Sequence, residues 1–168
     1  MNLPDPQILL DQLAEALKAH LQARQISDPV LVGIHSGGVW VAAEIARRLG
    51  IAGPLGELDI SFHRDDYSHH GLNPSVSPSQ LPWDVDGAHV LLIDDVLYTG
   101  RTVRAAINEL FDWGRPASVT LGVLVARDGR ELPIAADVIG AQLHIGTGRQ
   151  LKLRGPAPLR FELHEQPR

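Results

Sequence analysis

The feature that most constrains the fold is a single run, Val90–Thr102, in which apolar residues lead into two acids and a short turn. Val90–Ile93 has the length and branching of a buried strand, and Gly100 permits the backbone angles of a tight turn. Arg101–Trp113 has the pattern of a helix. A strand, a turn and a helix N-terminus point backbone N–H groups at one spot, where the helix dipole favours an anion. The run therefore predicts a phosphate cradle.

Asp94 and Asp95 adjoin this cradle and would repel a phosphate, so they need a different partner. Ionised carboxylates accept hydrogen bonds, and a ribose diol offers two donors side by side. Thr99 and Thr102 add hydroxyl donors for the phosphate. The whole pattern indicates a sugar-phosphate site. In the alternative interpretation, the acids only end the strand and cap the next helix.

The rest of the chain alternates strands with helices. Asp5 followed by Pro6 predicts a helix start, after which leucines recur at helical spacing as far as Leu21. The other predicted elements are the strands Val30–Ile34, Leu58–Phe62 and Val119–Val125 and a helix over Val39–Leu49 that ends at Gly50. This alternation predicts an α/β fold with a mostly parallel central sheet flanked by helices.

Length and charge narrow the class of protein. The 168 residues suit a single domain, 1–168, and fifteen basic against twenty acidic side chains give a formal net charge of −5. That balance opposes general attachment to nucleic acid or anionic membranes. The chain has no cysteine, which excludes disulfides and thiolate metal sites. It shows neither a signal-peptide pattern nor an apolar run of membrane-spanning length, so a cytoplasmic location is expected.

The run resembles the phosphoribosyl-diphosphate (PRPP) signature of type I phosphoribosyltransferases. In particular, Asp94–Thr102 is similar to the form found in the PyrR family, the bifunctional pyrimidine operon regulators and uracil phosphoribosyltransferases. Segments that match the same family in the same order are Leu31–Ile34, Gly56–Ile60, Arg64–Asp66, Gly114–Pro116 and Arg130–Ile134. The resemblance covers roughly Val30 to Gly140, and it implies the type I phosphoribosyltransferase fold with a small hood at about 127–168.

Between Arg64 and Gly87 the chain loses periodicity and collects prolines and serines. The resemblance implies that this segment, at about 64–87, is a mobile loop that closes over the substrates and excludes water from a reactive sugar cation. A surface loop without that role is the alternative. Nearby histidines lack the spacing of a metal site and are expected to be exposed; they are His63, His69 and His70.

The resemblance also assigns the substrate contacts. The ribose diol of PRPP is expected on the catalytic pair Asp94 and Asp95, which would stabilise positive charge on the sugar while uracil attacks. The cradle for the 5-phosphate consists of Val96, Leu97, Tyr98, Thr99, Gly100, Arg101 and Thr102. Mg²⁺ is expected as cofactor, held mainly through substrate oxygens, with no firm protein ligand. UMP and diphosphate would be the products.

The expected diphosphate loop departs from the family pattern. The usual Lys-Thr-Arg-Gly reads His35, Ser36, Gly37 and Gly38 here. Backbone amides of a glycine-rich turn still bind diphosphate, so we expect a lowered or retuned affinity rather than its loss. Alternatively, the glycines only permit tight packing of helix on strand. Arg64 is a weaker candidate for the diphosphate, with a salt bridge to an adjacent aspartate as the alternative.

The uracil pocket is less well defined by the sequence. Arg127 aligns with a family arginine at the substrate pocket, and Leu151 takes the place of an apolar residue near the base. A surface salt bridge from Arg127 to Asp128 or Glu131 is the alternative. The family assembles as dimers or larger, so a homo-oligomer is expected.

A second hypothesis makes the chain a regulator that binds pyrimidine-operon leader RNA when UMP occupies the site. Family positions that are basic read Ala135 and Ala141 here. The remaining basic candidates are Arg149, Lys152 and Arg154, which also suit an exposed strand edge. A third hypothesis keeps the phosphate site without catalysis and makes the chain a nucleotide sensor.

Overall fold

A computed structural model describes residues 1–60 and 79–167. The helices are α1 (Pro6–Ala23), α2 (Gly37–Leu49) and α3 (Arg101–Trp113), and the strands are β1 (Val30–Ile34), β2 (Gly56–Leu58), β3 (His89–Leu97), β4 (Ser118–Arg127), β5 (Val138–Leu143), β6 (Arg149–Arg154) and β7 (Arg160–Glu165). Arg64 and most of the expected mobile loop lie outside the described residues. None of the helices in those two ranges is long and apolar enough to cross a membrane.

The central sheet has the strand order β2-β1-β3-β4-β5, and every neighbouring pair is parallel. This confirms the predicted α/β class. The chain moves outward from β1 to β2 and then crosses back to β3, so the direction of winding reverses between β1 and β3. Ligands of parallel sheets bind at such a reversal, outside the carboxyl ends of the strands.

The core lies on both faces of the sheet, because the side chains of β3 alternate between them. Leu91 and Ile93 pack toward α1 and α2, whereas Val90 and Leu92 pack in the cluster that contains α3. All four side chains are buried. β3 is therefore a central strand whose position is fixed from both sides.

Several predicted boundaries hold and others shift. α1 begins as predicted, with Pro6 as its first residue and the carboxylate of Asp5 accepting a 2.9 Å hydrogen bond from the N–H of Gln7. α2 ends at Gly50 in a left-handed conformation, as predicted, but it begins at Gly37 rather than Val39. β2 ends at Leu58, where the predicted strand was expected to begin.

An antiparallel hairpin of β6 and β7 covers the carboxyl end of the sheet. Three leucines anchor it in the core cluster that also contains α1 and α2; they are Leu151, Leu153 and Leu159. The alternate residues of β6 are less buried. The hairpin therefore forms a roof over the place where β1 and β3 end.

Candidate active site

Asp94 and Asp95 lie beyond the end of β1. The pairing of β1 with β3 stops at Gly33 opposite Ile93, while β3 continues alongside β4 to Leu97. The predicted strand ended at Ile93, so the structure extends it through the acid pair. The sheet is therefore open on the β1 side of the acids, where a ligand can enter.

Backbone hydrogen bonds orient the two carboxylates. The N–H of Asp95 donates to Oδ1 of Asp94 at 2.9 Å, and the N–H of Val96 donates to Oδ1 of Asp95 at 2.8 Å. Asp94 is only 2% exposed. The bond to Asp95 leaves Oδ2 of that carboxylate directed toward Gly37 of the neighbouring loop.

Both acids line one cavity of about 670 Å³ between the sheet and the hairpin, which we call the site cavity. The β1 and α2 side contributes Ser36, Gly37 and Trp40; β3 and α3 contribute Asp94–Gly100, Thr102 and Val103; β4 and the C-terminal region contribute Arg127, Gln150–Arg154 and Gln166. Three predicted site residues, His35, Gly38 and Arg101, are not in this lining. The volume suits a ligand of nucleotide size.

The β3–α3 loop, Tyr98–Gly100, is braced by a neighbouring segment. The carbonyl of Thr99 accepts hydrogen bonds from the N–H groups of Glu131 at 3.0 Å and Leu132 at 3.1 Å. Nε of Arg101 donates to Glu131 at 3.0 Å. Gly100 has φ +95°, and a Cβ there would lie 3.3 Å from Cβ of Leu132. The segment 130–134 thus holds the loop in one conformation.

Neither helix that begins at the site cavity is capped by the side chain of its own N-cap residue. Ser36 precedes α2 and Gly100 precedes α3, and neither N-cap residue bonds to its helix through a side chain, although Oγ1 of Thr99 accepts a 3.2 Å hydrogen bond from the N–H of Arg101. The first-turn N–H groups of a helix have no partner inside it, and the dipole there favours an anion. The first turn of each helix is therefore a candidate anion site, with the acid pair on the cavity wall beside both.

The β1–α2 loop, His35–Gly38, packs closely on β3. A Cβ at Gly38 would lie 2.7 Å from the carbonyl oxygen of Ile93, and a Cβ at Gly37 would overlap the carboxylate of Asp95. The peptide bond between His35 and Ser36 is cis. The lack of a side chain at Gly38 thus permits α2 to pack closely on β3, as the alternative interpretation proposed. The lack of a side chain at Gly37 leaves room for the carboxylate of Asp95.

His35 does not take the place of the family's lysine inside the site cavity. Its Nε2 lies 3.3 Å from Oε2 of Glu57 on β2, and its side chain is not part of the cavity lining. The β1–α2 loop therefore offers backbone groups and the Ser36 hydroxyl to a ligand, but no cationic side chain.

Arg127 is committed to the backbone around the hairpin. Its side chain is 2% exposed, with Nη1 donating to the carbonyl of Arg149 and Nη2 to that of Gly146, both at 2.7 Å. The guanidinium carbon lies 4.0 Å from the centroid of the Tyr98 ring, in a cation–π contact. Nε of Arg127 also lies 4.0 Å from Oδ1 of Asp128, the ion pair that the alternative named, but Arg127 itself is buried, and it joins the hairpin to the β3–α3 loop.

Asp128 completes this junction. Its carboxylate accepts hydrogen bonds from the N–H groups of Ile145, at 2.9 Å, and Gly146, at 3.1 Å. These backbone hydrogen bonds, helped by the charge of Arg127, lower the pKa of Asp128. The turn that precedes β6 is thus bonded at its N–H groups by Asp128 and at the carbonyl of Gly146 by Arg127.

Residues 2–152 match the model of the phosphoribosyl transferase domain. The chain belongs to this family. The bifunctional protein PyrR of Pseudomonas fluorescens is 55% identical over 165 residues, covering 98% of each chain, and that of Pseudomonas aeruginosa strain PAO1 is 56% identical over 162 residues, covering 96% of this chain and 95% of the other. These relatives confirm the predicted membership of the PyrR family.

Solved structures support the phosphoribosyltransferase fold. A hypoxanthine phosphoribosyltransferase from Staphylococcus aureus superimposes with a TM-score of 0.65 at 22% identity, covering 86% of this chain and 78% of that chain. A hypoxanthine-guanine-xanthine phosphoribosyltransferase gives a TM-score of 0.63 at 18% identity, with coverages of 86% and 79%. The type I phosphoribosyltransferase fold predicted from the sequence is confirmed.

The donor set of this phosphoribosyltransferase site suits Mg²⁺ that arrives with its substrate. Asp94 and Asp95 present hard carboxylate oxygens in the site cavity, and Asp95 adjoins Gly37 of the β1–α2 loop. Across residues 1–60 and 79–167, no three His, Cys, Asp or Glu side chains form a cluster able to hold a metal. Substrate oxygens would have to supply the remaining ligands.

Sequence reasoning did not place Trp40, Gln150 or Lys152 in the site cavity, yet all three line it. Lys152 had been grouped with Arg149 and Arg154 as an RNA-binding candidate. The alternation along β6 separates Arg149 from the other two, because Leu151 and Leu153 anchor the strand and leave Lys152 and Arg154 together on its other face.

Acids of β7 neutralise the arginines of the hairpin. Arg149 pairs with Glu165 at 3.1 Å, and Arg154 pairs with Glu162 at 2.8 Å. Glu162 also pairs with Arg160 at 3.1 Å. The hydrogen bond from Arg154, followed by those from the neighbouring basic side chains, lowers the pKa of Glu162 to about 2. The basic residues of β6 therefore do not form a continuous unpaired patch.

Proposed function

We propose that this phosphoribosyltransferase-family protein transfers the phosphoribosyl group of PRPP to uracil, with UMP and diphosphate as products. The observation that carries the proposal is the cavity in which Asp94 and Asp95 lie between the N-termini of α2 and α3, neither of which has a side-chain bond from its N-cap residue. PRPP has an anionic group at each end and hydroxyl donors between them. The cavity has a candidate anion site at each end and carboxylates between them, so its groups occur in the same order as the groups of PRPP that they would bind.

The chemistry follows from the charges of the site. The ribose hydroxyls donate to the oriented carboxylates, which holds the sugar between the two loops. As the bond between C1 and the diphosphate oxygen breaks, the electron pair leaves with diphosphate and positive charge builds on the sugar ring. Asp94 and Asp95 stabilise that charge from fixed positions while a uracil nitrogen bonds to C1 and releases its proton to the departing diphosphate or to solvent. No covalent enzyme intermediate is required.

Mg²⁺ bound with PRPP would neutralise charge on the leaving diphosphate. The candidates to face it are Asp94 and Asp95, of which Asp95 adjoins the β1–α2 loop. The uncapped start of α2 faces the same group through its backbone N–H groups. The chain's own contribution to departure is therefore to fix the diphosphate at the end of the cavity opposite the β3–α3 loop.

The base would lie under the hairpin. Leu151 lines the cavity from β6, and Tyr98, stacked on Arg127, lines it from the β3–α3 loop. These groups offer an apolar wall and an aromatic ring for a flat pyrimidine. In this arrangement Arg127 acts through Tyr98 and the hairpin backbone, so it is a positioning residue for the base.

The test is a direct assay of the purified chain with PRPP, Mg²⁺ and uracil, with cytosine, orotate, hypoxanthine and guanine in parallel reactions. We expect UMP from uracil and no product from the other bases. A product from hypoxanthine or guanine in place of uracil would overturn the base assignment. Tight binding of PRPP and UMP without any product would favour the sensor hypothesis.

A second role in regulation is supported by the relatives, which carry the name bifunctional protein PyrR. We infer a pyrimidine-responsive role in which UMP changes binding to leader RNA. The neutralised arginines of the hairpin count against β6 as the RNA surface. An electrophoretic shift with pyrimidine-operon leader RNA, run with and without UMP, tests this role: a shift that responds to UMP supports it, and no shift under either condition contradicts it.

A homo-oligomer, dimeric or larger, and a cytoplasmic location complete the proposal. Both rest on the resemblance to the PyrR family. Sedimentation velocity of the purified chain tests the first, with a monomer at micromolar concentration as the contradicting result. Fractionation of the source cells tests the second.

A further inference from the structure

The diphosphate end of the site cavity lacks the cations that the family places in its loop. The β1–α2 loop carries only His35, and that side chain contacts Glu57 outside the cavity lining. A diphosphate carries several negative charges, of which Mg²⁺ bound with the substrate would offset only a part, and the backbone N–H groups of the loop carry no full positive charge. The cavity lining supplies three cationic side chains from elsewhere in the chain: Arg127, Lys152 and Arg154.

Two of these three are already engaged. The guanidinium of Arg127 is buried and donates to carbonyls of the hairpin region. Nε of Arg154 donates to Oε2 of Glu162 at 2.8 Å, which compensates its charge. Arg127 would have to give up hairpin carbonyls to bind an anion, and the charge of Arg154 is already compensated by Glu162.

Lys152 is different. It lies opposite Glu162 in the register of the hairpin, but the carboxylate of Glu162 is occupied by Arg154 at Oε2 and by Arg160 at Oε1. Within the part of the chain that the structure describes, Lys152 has no hydrogen-bond or ion-pair partner. Lys152 lines the cavity, and its ammonium would give up no protein partner on binding a ligand there.

The course of β6 places Lys152 between the two loops. The strand begins at Arg149, whose carbonyl bonds to Arg127 beside Tyr98. Beyond its other end, a Cβ at Gly155 would lie 2.9 Å from the ring of Trp40 in the first turns of α2. β6 thus crosses from the β3–α3 loop to the start of α2, and the flexible lysine stem extends from its middle.

We propose that Lys152 binds the diphosphate group of PRPP and supplies the cationic contact that the β1–α2 loop lacks. The inference rests on the proposed function for the identity of the ligand. Lysine binds phosphate groups as a mobile point charge, and a hydrogen bond to a charged group contributes more than one between neutral groups. The hairpin thereby takes over work that the family's loop does with its own side chains.

Isothermal titration of the full chain with diphosphate, PRPP and UMP, each with Mg²⁺, tests the proposal. Lys152→Met removes the charge and keeps the apolar stem. We expect it to weaken diphosphate and PRPP binding about tenfold and to leave UMP, which has no diphosphate, within about twofold of wild type. Lys152→Arg should retain most of the affinity for all three ligands.

Arg149→Gln is the matched control, because it removes a charge from the same strand outside the cavity lining and should leave all three affinities unchanged. Circular dichroism confirms that each variant is folded. Loss of UMP affinity with unchanged diphosphate affinity would overturn the proposal and place Lys152 at the base or the 5-phosphate. So would a wild-type chain that binds no diphosphate.

The binding measurement needs no turnover, so failure of the inference and failure of the proposed function are distinguishable. If diphosphate binding depends on Lys152 and no base gives a product, the inference stands and the proposed function fails. If UMP forms normally and Lys152→Met leaves diphosphate binding intact, the proposed function stands and the inference fails.

Discussion

The β3–α3 loop and the β1–α2 loop both open onto the site cavity, yet they are built differently. The first is braced by residues 130–134, through the carbonyl of Thr99 and the pair Arg101–Glu131, and its sequence follows the family pattern. The second is held by glycine packing against β3 and has no cation in the cavity lining. The proposed 5-phosphate site is thus contained in a continuous stretch of chain, while the proposed diphosphate site would draw its cation from a distant strand.

The difference teaches where sequence change is tolerated. Asp94 and Asp95 continue directly into the β3–α3 loop, whose backbone is bonded to residues 131 and 132. A change in one of these parts would therefore displace the others. In the β1–α2 loop, the backbone supplies the donors, and a side chain from another element can supply the charge. A family signature can therefore degrade at the second loop without loss of the site.

The largest effect is expected from Asp94→Asn combined with Asp95→Asn. The amide oxygens can still accept the backbone hydrogen bonds, so the fold should persist, but the charges that stabilise the sugar cation are lost. We expect UMP formation to fall by about 10³-fold, by the scale of removing transition-state electrostatics. Steady-state kinetics measure it, with the exposed Asp112→Asn as control. Unchanged turnover in the double variant would remove the acids from the mechanism.

Gly37→Ala tests whether the β1–α2 loop shapes the acid pair. Its Cβ would overlap the Asp95 carboxylate and displace it, so kcat should fall by about 10²-fold, the scale of an ångström of misplacement. Gly53→Ala, where the added Cβ meets open space, is the control. Normal kcat in Gly37→Ala would show that the two features are independent.

Gly100→Ala tests the braced loop. At φ +95° an L-residue is strained by about 1–2 kcal/mol, and the added Cβ lies against Leu132. We expect a lower free energy of unfolding together with several-fold weaker UMP binding. Gly50→Ala carries a similar strain at φ +66°, in open space at the end of α2. It should lose stability without losing UMP affinity, and equal losses of affinity in both variants would contradict a local role for Gly100.

The smallest effect concerns the hairpin that roofs both loops. The hydrogen bond from Arg154 and its neighbours lowers the pKa of Glu162 from 4.5 to about 2. The stabilisation by its carboxylate is thus fully present above pH 4.5 and is lost as the pH falls toward 2. Urea unfolding should show wild type more stable than Glu162→Gln at pH 7, with the difference shrinking below pH 4.5. A difference independent of pH would contradict the ion-pair account.

The sequence predicted the parts of the molecule that depend on local patterns. The cap at Asp5, the buried strand from Val30 and the helix from Arg101 follow from short-range rules, and the structure has each of them. The end of β3 was placed too early because Asp94 and Asp95 are poor strand residues. Their pairing with β4 keeps them in the strand, and no local pattern shows that pairing.

The site residues divide in the same way. The contiguous run Asp94–Thr102 could be placed from sequence because one stretch supplies most of its chemistry. Lys152 and Trp40 could not, since they reach the cavity through packing of the hairpin and α2. Arg127 was found by resemblance, but its buried bonds to hairpin carbonyls give it a positioning role that only the fold reveals.

The N-termini of α2 and α3, whose N-cap residues make no side-chain bond, also make the free energy of unfolding depend on the concentration of phosphate-bearing ligands. A phosphate group that binds at these helix ends stabilises the native state over the unfolded chain. A ligand at a hundred times its dissociation constant contributes about 2.7 kcal/mol in this way. Cells rich in phosphoribosyl compounds would therefore hold copies that resist unfolding and proteolysis, whereas starved cells would turn them over faster.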